Sequence, residues 1–156
     1  MIIIMILNNF ALINYVLHFF EKHLAVISTL QMVIILSFFK DDLIFCVDNS
    51  VLTDLIIVFS VFSIFLSKYI SILCSLQNLK FIKIAKTSGA YQDLLKLIYK
   101  TIGWCVLSIL VVIFSKIIDV NYFKIIALSI CFGGLNAVLY ATFLFKKLMN
   151  LAFLHN

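Results

Sequence analysis

The stretch that decides the fold is IIALSICFGGLNAVLYATFLF, residues 125–145, which runs for 21 residues without a charge. A helix of that length rises about 30 Å, which matches the hydrocarbon thickness of a bilayer. Small residues recur at every fourth position within it, at Ser129, Gly133, Ala137 and Ala141. Because such a stripe lets helix backbones approach closely in lipid, the sequence predicts a helix that crosses a membrane and packs tightly against another.

The composition of the whole chain indicates the same class. Of the 156 residues, 65% are hydrophobic and 12% are charged, and the mean hydropathy is +1.21. Soluble domains contain about one-half apolar residues and about one-quarter charged residues. A soluble domain of this length could not bury so much Ile, Leu and Phe, so the composition excludes an ordinary soluble protein.

Charged residues divide the chain into four apolar blocks, and we predict one span from each. The predicted spans cover about residues 24–40, 51–75, 101–118 and 125–145. Lys68 interrupts the second block, and the third is short unless Lys100 and Lys116 extend their amines toward opposite interfaces. The predicted fold class is therefore all-α. The chain is expected to be a polytopic integral membrane protein, with residues 1–156 forming a single membrane domain that has four transmembrane helices.

The lysines predict the orientation of these spans, because positively charged segments are retained in the cytoplasm. Eight lysines fall on one side of the four blocks, and three fall on the other, namely Lys40, Lys116 and Lys124. We therefore expect both termini to lie in the cytoplasm, in a bacterial inner membrane. The alternative interpretation of the lysines is that they recruit anionic lipid headgroups or an acidic partner.

The first 20 residues have two interpretations. Asn14, His18 and Glu21 fall on one helical face, opposite Phe10 and Leu17, which predicts an N-terminal helix lying in the membrane interface before the chain crosses. The alternative makes residues 1–20 a fifth span. No basic region precedes the apolar start, so a signal peptide is not expected.

A cytoplasmic helical hairpin is predicted between the second and third spans, over about residues 76–100. Residues 69–86 can continue the second helix, and Gly89 suits the left-handed position that closes a helix. Beyond this turn, apolar residues repeat at helical spacing, at Tyr91, Leu94, Leu95, Ile98, Tyr99 and Ile102. This apolar stripe needs a surface to cover it. Either the two helices pack on each other or on lipid headgroups, or a cytoplasmic partner covers them.

Two groups of residues are candidate functional sites. The helix-packing group is Ser129, Gly133, Asn136, Ala137 and Ala141, and the group for contact with a partner or lipid is Lys80, Lys83, Lys86, Lys96 and Lys100. Asn136 lies mid-span, where an amide without a partner is costly, so we expect it to hydrogen-bond across a helix interface. The second block also carries a serine stripe, for which close packing is favoured over an aqueous path; its members are Ser60, Ser63, Ser67, Ser71 and Ser75.

No constellation for catalysis or metal binding is evident in the sequence. The three histidines lie near the ends of the chain, and successive cysteines are at least 26 residues apart, so neither set has ligand spacing. The sequence contains no Gly-rich phosphate loop and no HExxH or GxSxG motif. We expect no enzyme activity, no cofactor, no metal site and no direct nucleic-acid binding.

The layout of four spans, cytoplasmic termini and a lysine-bearing hairpin from Lys80 to Lys100 resembles the membrane subunit of the Kiwa anti-phage defence system. This resemblance covers layout and composition and carries over no functional residue. It implies a tetrameric membrane protein that works with a cytoplasmic DNA-binding partner to restrain phage replication.

On this basis the expected function is a non-enzymatic sensor or anchor subunit that oligomerises in the membrane and holds a cytoplasmic effector. One alternative is an immunity protein against a pore-forming bacteriocin, since such proteins share almost the same layout. A second alternative is a small pore former or transporter. It is disfavoured because no predicted span carries an ionisable group at mid-depth.

Overall fold

The computed structural model describes residues 23–38, 48–76, 80–87, 89–118 and 120–154, and all regular structure among them is helical. The helices are α1 (His23–Phe38), α2 (Asn49–Ser75), α3 (Lys80–Thr87), α4 (Ala90–Ile118) and α5 (Asn121–Leu154). The predicted all-α class is confirmed for these residues. The predicted interfacial helix before residue 23 lies outside them.

Three of these helices, α2, α4 and α5, are long and apolar enough to cross a membrane. The first predicted span is represented by α1, a shorter apolar helix. In α4, the second arm of the predicted hairpin and the third apolar block form one continuous helix of 29 residues. In α5, the helix continues for nine residues beyond Phe145. At 1.5 Å per residue, α4 and α5 rise about 43 Å and about 51 Å, which exceeds the hydrocarbon thickness of about 30 Å.

The first arm of the predicted hairpin differs from the expectation. Leu76 leaves the helical conformation (φ −88°, ψ 8°), and its amide donates the last hydrogen bond of α2 to the carbonyl of Ile72 at 3.0 Å. The prediction that residues 69–86 continue one helix is therefore wrong. The break allows α3 to place Ile82 in the interior, where that side chain is fully buried. No Gly or Pro lies at this helix end, so the local sequence gives no signal for it.

Two residues, Ser88 and Gly89, separate α3 from α4. Gly89 has φ +80°, which confirms the predicted left-handed position. Its amide donates to the carbonyl of Lys86 at 3.2 Å, and its carbonyl accepts from the amide of Asp93 at 3.1 Å. The same residue therefore closes α3 and opens α4. Because a side chain is disfavoured at this φ, glycine is the residue that makes so short a connection possible.

Helix α4 lies between α2 and α5 and contacts both of them along their length. At one end of the α2–α4 pair, the Lys116 amine donates to the Thr53 hydroxyl at 2.8 Å. Helix α1 packs on α5 in the opposite direction, since Leu24 lies near Tyr140 while Thr29 lies near Gly133. Apolar and small side chains fill the interior between these helices, among them Leu52, Phe59, Leu66, Cys105, Val112, Ala127 and Cys131.

Candidate functional site

The level at which the apolar part of the protein ends is marked by a pair of stacked rings. Tyr69 of α2 and Phe145 of α5 lie 4.1 Å apart between ring centroids, with their planes 6° from parallel. Phe145 is the last residue of the uncharged run, so Lys68 lies where that run ends rather than deep within the apolar block. This places Lys68 on the same side as the hairpin lysines.

Beyond this level the chain builds a projecting unit, which we call the cap. It consists of residues 69–76, 80–87, 89–100 and 146–154, which come from α2, α3, α4 and α5. We call the remaining part of the helices the bundle. The cap forms because α4 and α5 are both longer than the apolar part of the chain and because α3 folds back against α4 and α5.

The cap has an apolar interior of its own. Leu73, Ile82 and Ile98 are fully buried, and Tyr91 and Leu94 are nearly so. The partly buried side chains that pack on this interior include Ile70, Leu76, Leu95, Leu148 and Met149. The apolar stripe of α4 is thus covered by other parts of the same chain, as in the first of the alternatives considered for the hairpin. Its outer member, Tyr99, remains 60% exposed.

The surface of the cap is strongly basic. Its exposed lysines are Lys83, Lys86, Lys96, Lys100, Lys146 and Lys147, and Lys80 begins α3. The sequences 69–100 and 146–156 contain one acidic residue, Asp93. The amine of Lys96 lies 4.0 Å from the Asp93 carboxylate, but both side chains are about four-fifths exposed, so this pair neutralises little of the field. Four of the predicted contact lysines, Lys83, Lys86, Lys96 and Lys100, are therefore exposed on the cap.

One of these lysines also joins the two arms of the hairpin. The Lys86 amine lies 5.2 Å from the centroid of the Tyr91 ring, a geometry that gives a cation–π attraction. Because Lys86 belongs to α3 and Tyr91 to α4, the contact helps to hold the short helix α3 on the cap interior. Lysine in this sequence thus contributes both to the surface charge and to the position of α3.

The helix-packing residues lie within the protein. Ser129, Gly133, Ala137 and Ala141 are buried, and Asn136 is half-buried. A Cβ atom added at Gly133 would overlap the Thr29 hydroxyl of α1 and lie 2.6 Å from the Ala25 carbonyl oxygen. Close backbone approach at Gly133 is therefore what seats α1 on α5.

A second glycine at the same level was missed by the sequence reasoning. A Cβ atom added at Gly134 would lie 2.8 Å from the Ser108 hydroxyl of α4 and 3.0 Å from the Phe59 ring of α2. Gly134 falls outside the four-residue stripe, so the spacing gave no signal for it. The pair Gly133-Gly134 allows α5 to approach α1 on one side and α2 and α4 on the other.

Most serine hydroxyls described in the bundle donate within it, whereas the buried Ser115 hydroxyl has no hydrogen-bond partner. Ser63 and Ser108 donate to carbonyls one turn back in their own helices, at 2.9 Å each. Each of these hydroxyls also lies beside a thiol, Ser63 beside Cys105 and Ser108 beside Cys131. The remaining members of the serine stripe likewise donate to their own helix, namely Ser60, Ser67, Ser71 and Ser75. The stripe therefore uses its hydroxyl protons locally.

Among the residues that the structure describes, no three His, Cys, Asp or Glu side chains come together in a way that could hold a metal ion. The candidate site is thus a charged surface on a helical support. Comparison with known protein families, curated proteins and solved structures finds no match to this chain.

Proposed function

We propose that this chain is a non-enzymatic membrane sensor or anchor subunit that holds a cytoplasmic effector on its lysine-bearing cap. In this proposal the protein crosses the bacterial inner membrane four times, has both termini in the cytoplasm, oligomerises, and serves in anti-phage defence. The defence role and the tetrameric state follow from the resemblance in layout to the Kiwa membrane subunit.

The observation that carries the proposal is the contrast between the interior and the surface of the cap. The interior is closed within the chain by Leu73, Ile82 and Ile98, so the cap does not need a partner in order to bury its apolar stripe. The surface of the cap carries at least six exposed lysines and one carboxylate. A surface of one sign attracts and orients a partner of the opposite sign, so we expect the effector to present an acidic face.

The four-span arrangement is supported by the position of α1. Its described length rises about 24 Å, and it runs antiparallel to α5 with Thr29 beside Gly133, near the middle of the uncharged run. An apolar helix seated at that depth is best accommodated by crossing the bilayer beside α5. With α2, α4 and α5 as the other spans, the N-terminal side of α1 falls on the same side as the cap.

Cysteine labelling tests this topology. Gln92 is exposed on the cap, so Gln92→Cys in a background without the four native cysteines gives a single reporter thiol. We expect a membrane-impermeant maleimide to label it in permeabilised cells but not in intact cells. Labelling in intact cells would place the cap outside and remove the basis for a cytoplasmic effector.

Affinity purification in mild detergent, followed by mass spectrometry, tests the partner. Replacement of Lys80, Lys83 and Lys86 with Glu should weaken retention of a specific acidic protein in a salt-dependent way, because the variant reverses the local field. Lys124→Glu, a charge reversal in the first turn at the opposite end of α5, is the control. Membrane insertion is checked first for each variant. Full retention of the partner by the inserted triple variant contradicts the proposal.

A protection assay then separates the proposed role from the bacteriocin alternative. Cells that carry this chain and its co-purifying partner should reduce phage plaque formation, and the triple lysine variant should lose that effect. Survival of cells carrying the chain alone when they are challenged with a pore-forming bacteriocin, without any effect on phage, would favour the immunity role instead.

A further inference from the structure

A groove opens between α1, α4 and α5 at the boundary of the bundle and the cap. Its lining includes Leu24 and Ala25 of α1, Lys100 and Trp104 of α4, and Ala137 and Tyr140 of α5. The hollow itself has a volume of about 20 Å³, and the space between atoms is about 270 Å³ when the open side is included. Three helices therefore contribute to one concavity that is open to the surroundings of the protein.

The walls of the groove differ in character from its mouth. Ala25 and Ala137 are buried, and their small side chains create the hollow between α1 and α5. The rings of Trp104 and Tyr140 are half-buried, and Lys100 is exposed. Apolar walls with a cationic mouth suit a ligand that has an apolar part and an anionic part.

The level of the groove indicates where that ligand comes from. Lys100 ends the cap, and Trp104 lies one turn further into the bundle. Trp and Tyr prefer the headgroup level of a bilayer, where an apolar ring and a polar edge are both satisfied. Basic pockets between membrane helices on the cytoplasmic side bind the headgroups of anionic lipids.

We propose that this groove binds an anionic phospholipid, with its phosphate at Lys100 and an acyl chain against Trp104 and Ala137. The inference rests on the membrane placement of the proposed function and adds a ligand to it. A neutral lipid offers no negative charge to the Lys100 amine, and a free anion offers no apolar surface to Trp104 and Ala137. The phosphodiester headgroup of a diacyl lipid satisfies both.

Trp104 is the one tryptophan in the chain, so its fluorescence reports on the groove. The full-length protein is reconstituted in two sets of vesicles that contain equal amounts of phosphatidylcholine and phosphatidylglycerol. In one set the phosphatidylcholine carries brominated acyl chains, and in the other the phosphatidylglycerol does. The membrane is otherwise the same, and bromine quenches the fluorophore that it contacts. We expect phosphatidylglycerol to occupy the groove about fivefold more often than phosphatidylcholine, the ratio that one lysine near the surface provides.

Two variants assign the preference to the groove. Lys100→Gln should bring the ratio of the two quenching efficiencies close to one, because it removes the charge and keeps the length of the side chain. Lys116→Gln makes the same change at the opposite end of α4 and should leave the ratio unchanged. Ala137→Leu should fill the hollow and reduce quenching by brominated phosphatidylglycerol while Lys100 is still present. Circular dichroism of each variant checks that the helices are retained.

Each outcome bears on the proposal. Equal quenching by the two brominated lipids in the unmodified protein, or a preference that survives Lys100→Gln, overturns the lipid site while the membrane placement stands. Loss of the preference on addition of inorganic phosphate at constant ionic strength shows that the mouth takes a free anion, which also overturns it. If neither brominated lipid quenches Trp104, the membrane placement itself fails.

Discussion

Helix α4 passes through both the cap and the bundle, and it buries opposite kinds of side chain in the two regions. In the cap, α4 buries the large side chains of Tyr91, Leu94 and Ile98 and exposes polar ones such as Lys96. In the bundle, the same helix buries small residues and exposes large apolar ones. The buried set is Cys105, Ser108, Val112 and Ser115, and the exposed set includes Val106, Leu107, Leu110, Phe114 and Ile117.

Under the proposed membrane placement, this reversal in α4 reflects the force that operates in each region. In water, burial of large apolar side chains drives packing, so the cap is built like a small soluble domain. In hydrocarbon, an exposed Leu is as well solvated as a buried one, so helices are held by close contact and hydrogen bonds. The reversal occurs between Ile98 and Gly103 of α4, so under the proposed membrane placement the boundary of the apolar environment lies near Lys100.

The first prediction concerns the close contact between α1 and α5 at Gly133 in the bundle. Gly133→Leu places a side chain where the Thr29 hydroxyl and the Ala25 carbonyl already lie, so α1 must move away from α5. We expect a loss of about 3 kcal/mol or more, at the upper end of the range for overpacking. Thermal unfolding in detergent measures the loss of stability, and hydrogen exchange of the α1 amides measures the displacement of α1.

Gly103→Leu is the matched control for this substitution. A Cβ atom added at Gly103 meets no atom within 4 Å, so the same change should be accommodated without displacement of a neighbour. Because Gly is about 1 kcal/mol less favourable than Leu in a helix, the control should be neutral or stabilising. Equal destabilisation by the two variants would show that glycine in the bundle does not act through close contact.

The second prediction concerns the apolar interior of the cap. Ile98 is fully buried at the centre of the cap, so Ile98→Ala should cost about 3 kcal/mol through lost burial and the cavity left behind. Urea weakens the hydrophobic term, so the variant should release α3 at a lower urea concentration than the unmodified protein while the bundle stays intact. Hydrogen exchange of the α3 amides, compared with those of the bundle, gives the measurement.

Tyr99→Ala is the control for the cap, because Tyr99 neighbours Ile98 in sequence but is 60% exposed. It should change the exchange of α3 little. If Ile98→Ala accelerates exchange in α3 and in the bundle by the same factor, the two regions unfold as one unit and the comparison between them loses its meaning for stability.

The features of the fold that the sequence predicts are those whose determining residues lie close together along the chain. The uncharged run, the all-helical class and the left-handed Gly89 are local properties, and the sequence predicts each of them. The spacing from Tyr91 to Ile102 likewise shows that one face of α4 must be covered. It does not show what covers it, because the covering residues, Ile82 and Leu73, belong to other helices.

Two features at the start of the cap depend on distant contacts. The level of Lys68 is indicated by its neighbour Tyr69, which stacks on Phe145, a contact between positions 76 residues apart. Helix α2 ends at Ser75, and α3 then packs on the cap interior. No Gly or Pro between Lys68 and Lys86 predicts this helix end. Gly134 was missed because the spacing that identified Gly133 describes one helix face, whereas α5 packs on two.

The third prediction concerns the turn inside the cap. Gly89 has φ +80° and nothing within 4 Å of an added Cβ, so Gly89→Ala tests backbone conformation without a clash. We expect a loss of about 1 kcal/mol, since alanine is disfavoured in the left-handed region. Gly103→Ala in the helical part of the bundle should show the opposite sign, by a similar amount. Denaturation of the two variants under the same conditions measures the difference, and equal signs would contradict the conformational argument.

The smallest predicted effect distinguishes the two uses of lysine on the cap. Lys86 stands over the Tyr91 ring, whereas Lys83, three residues earlier on α3, is exposed. A double-mutant cycle of Lys86→Gln with Tyr91→Leu should give a coupling of about 0.5 kcal/mol, the value for a cation–π contact at an exposed site. The cycle of Lys83→Gln with Tyr91→Leu should give none. Lys86→Arg should retain the coupling, because the guanidinium also attracts the ring face. If the Lys86 cycle shows no coupling while Lys83→Gln and Lys86→Gln weaken partner binding equally, both lysines belong to the basic surface alone, and α3 is held on the cap by Ile82 and its apolar neighbours.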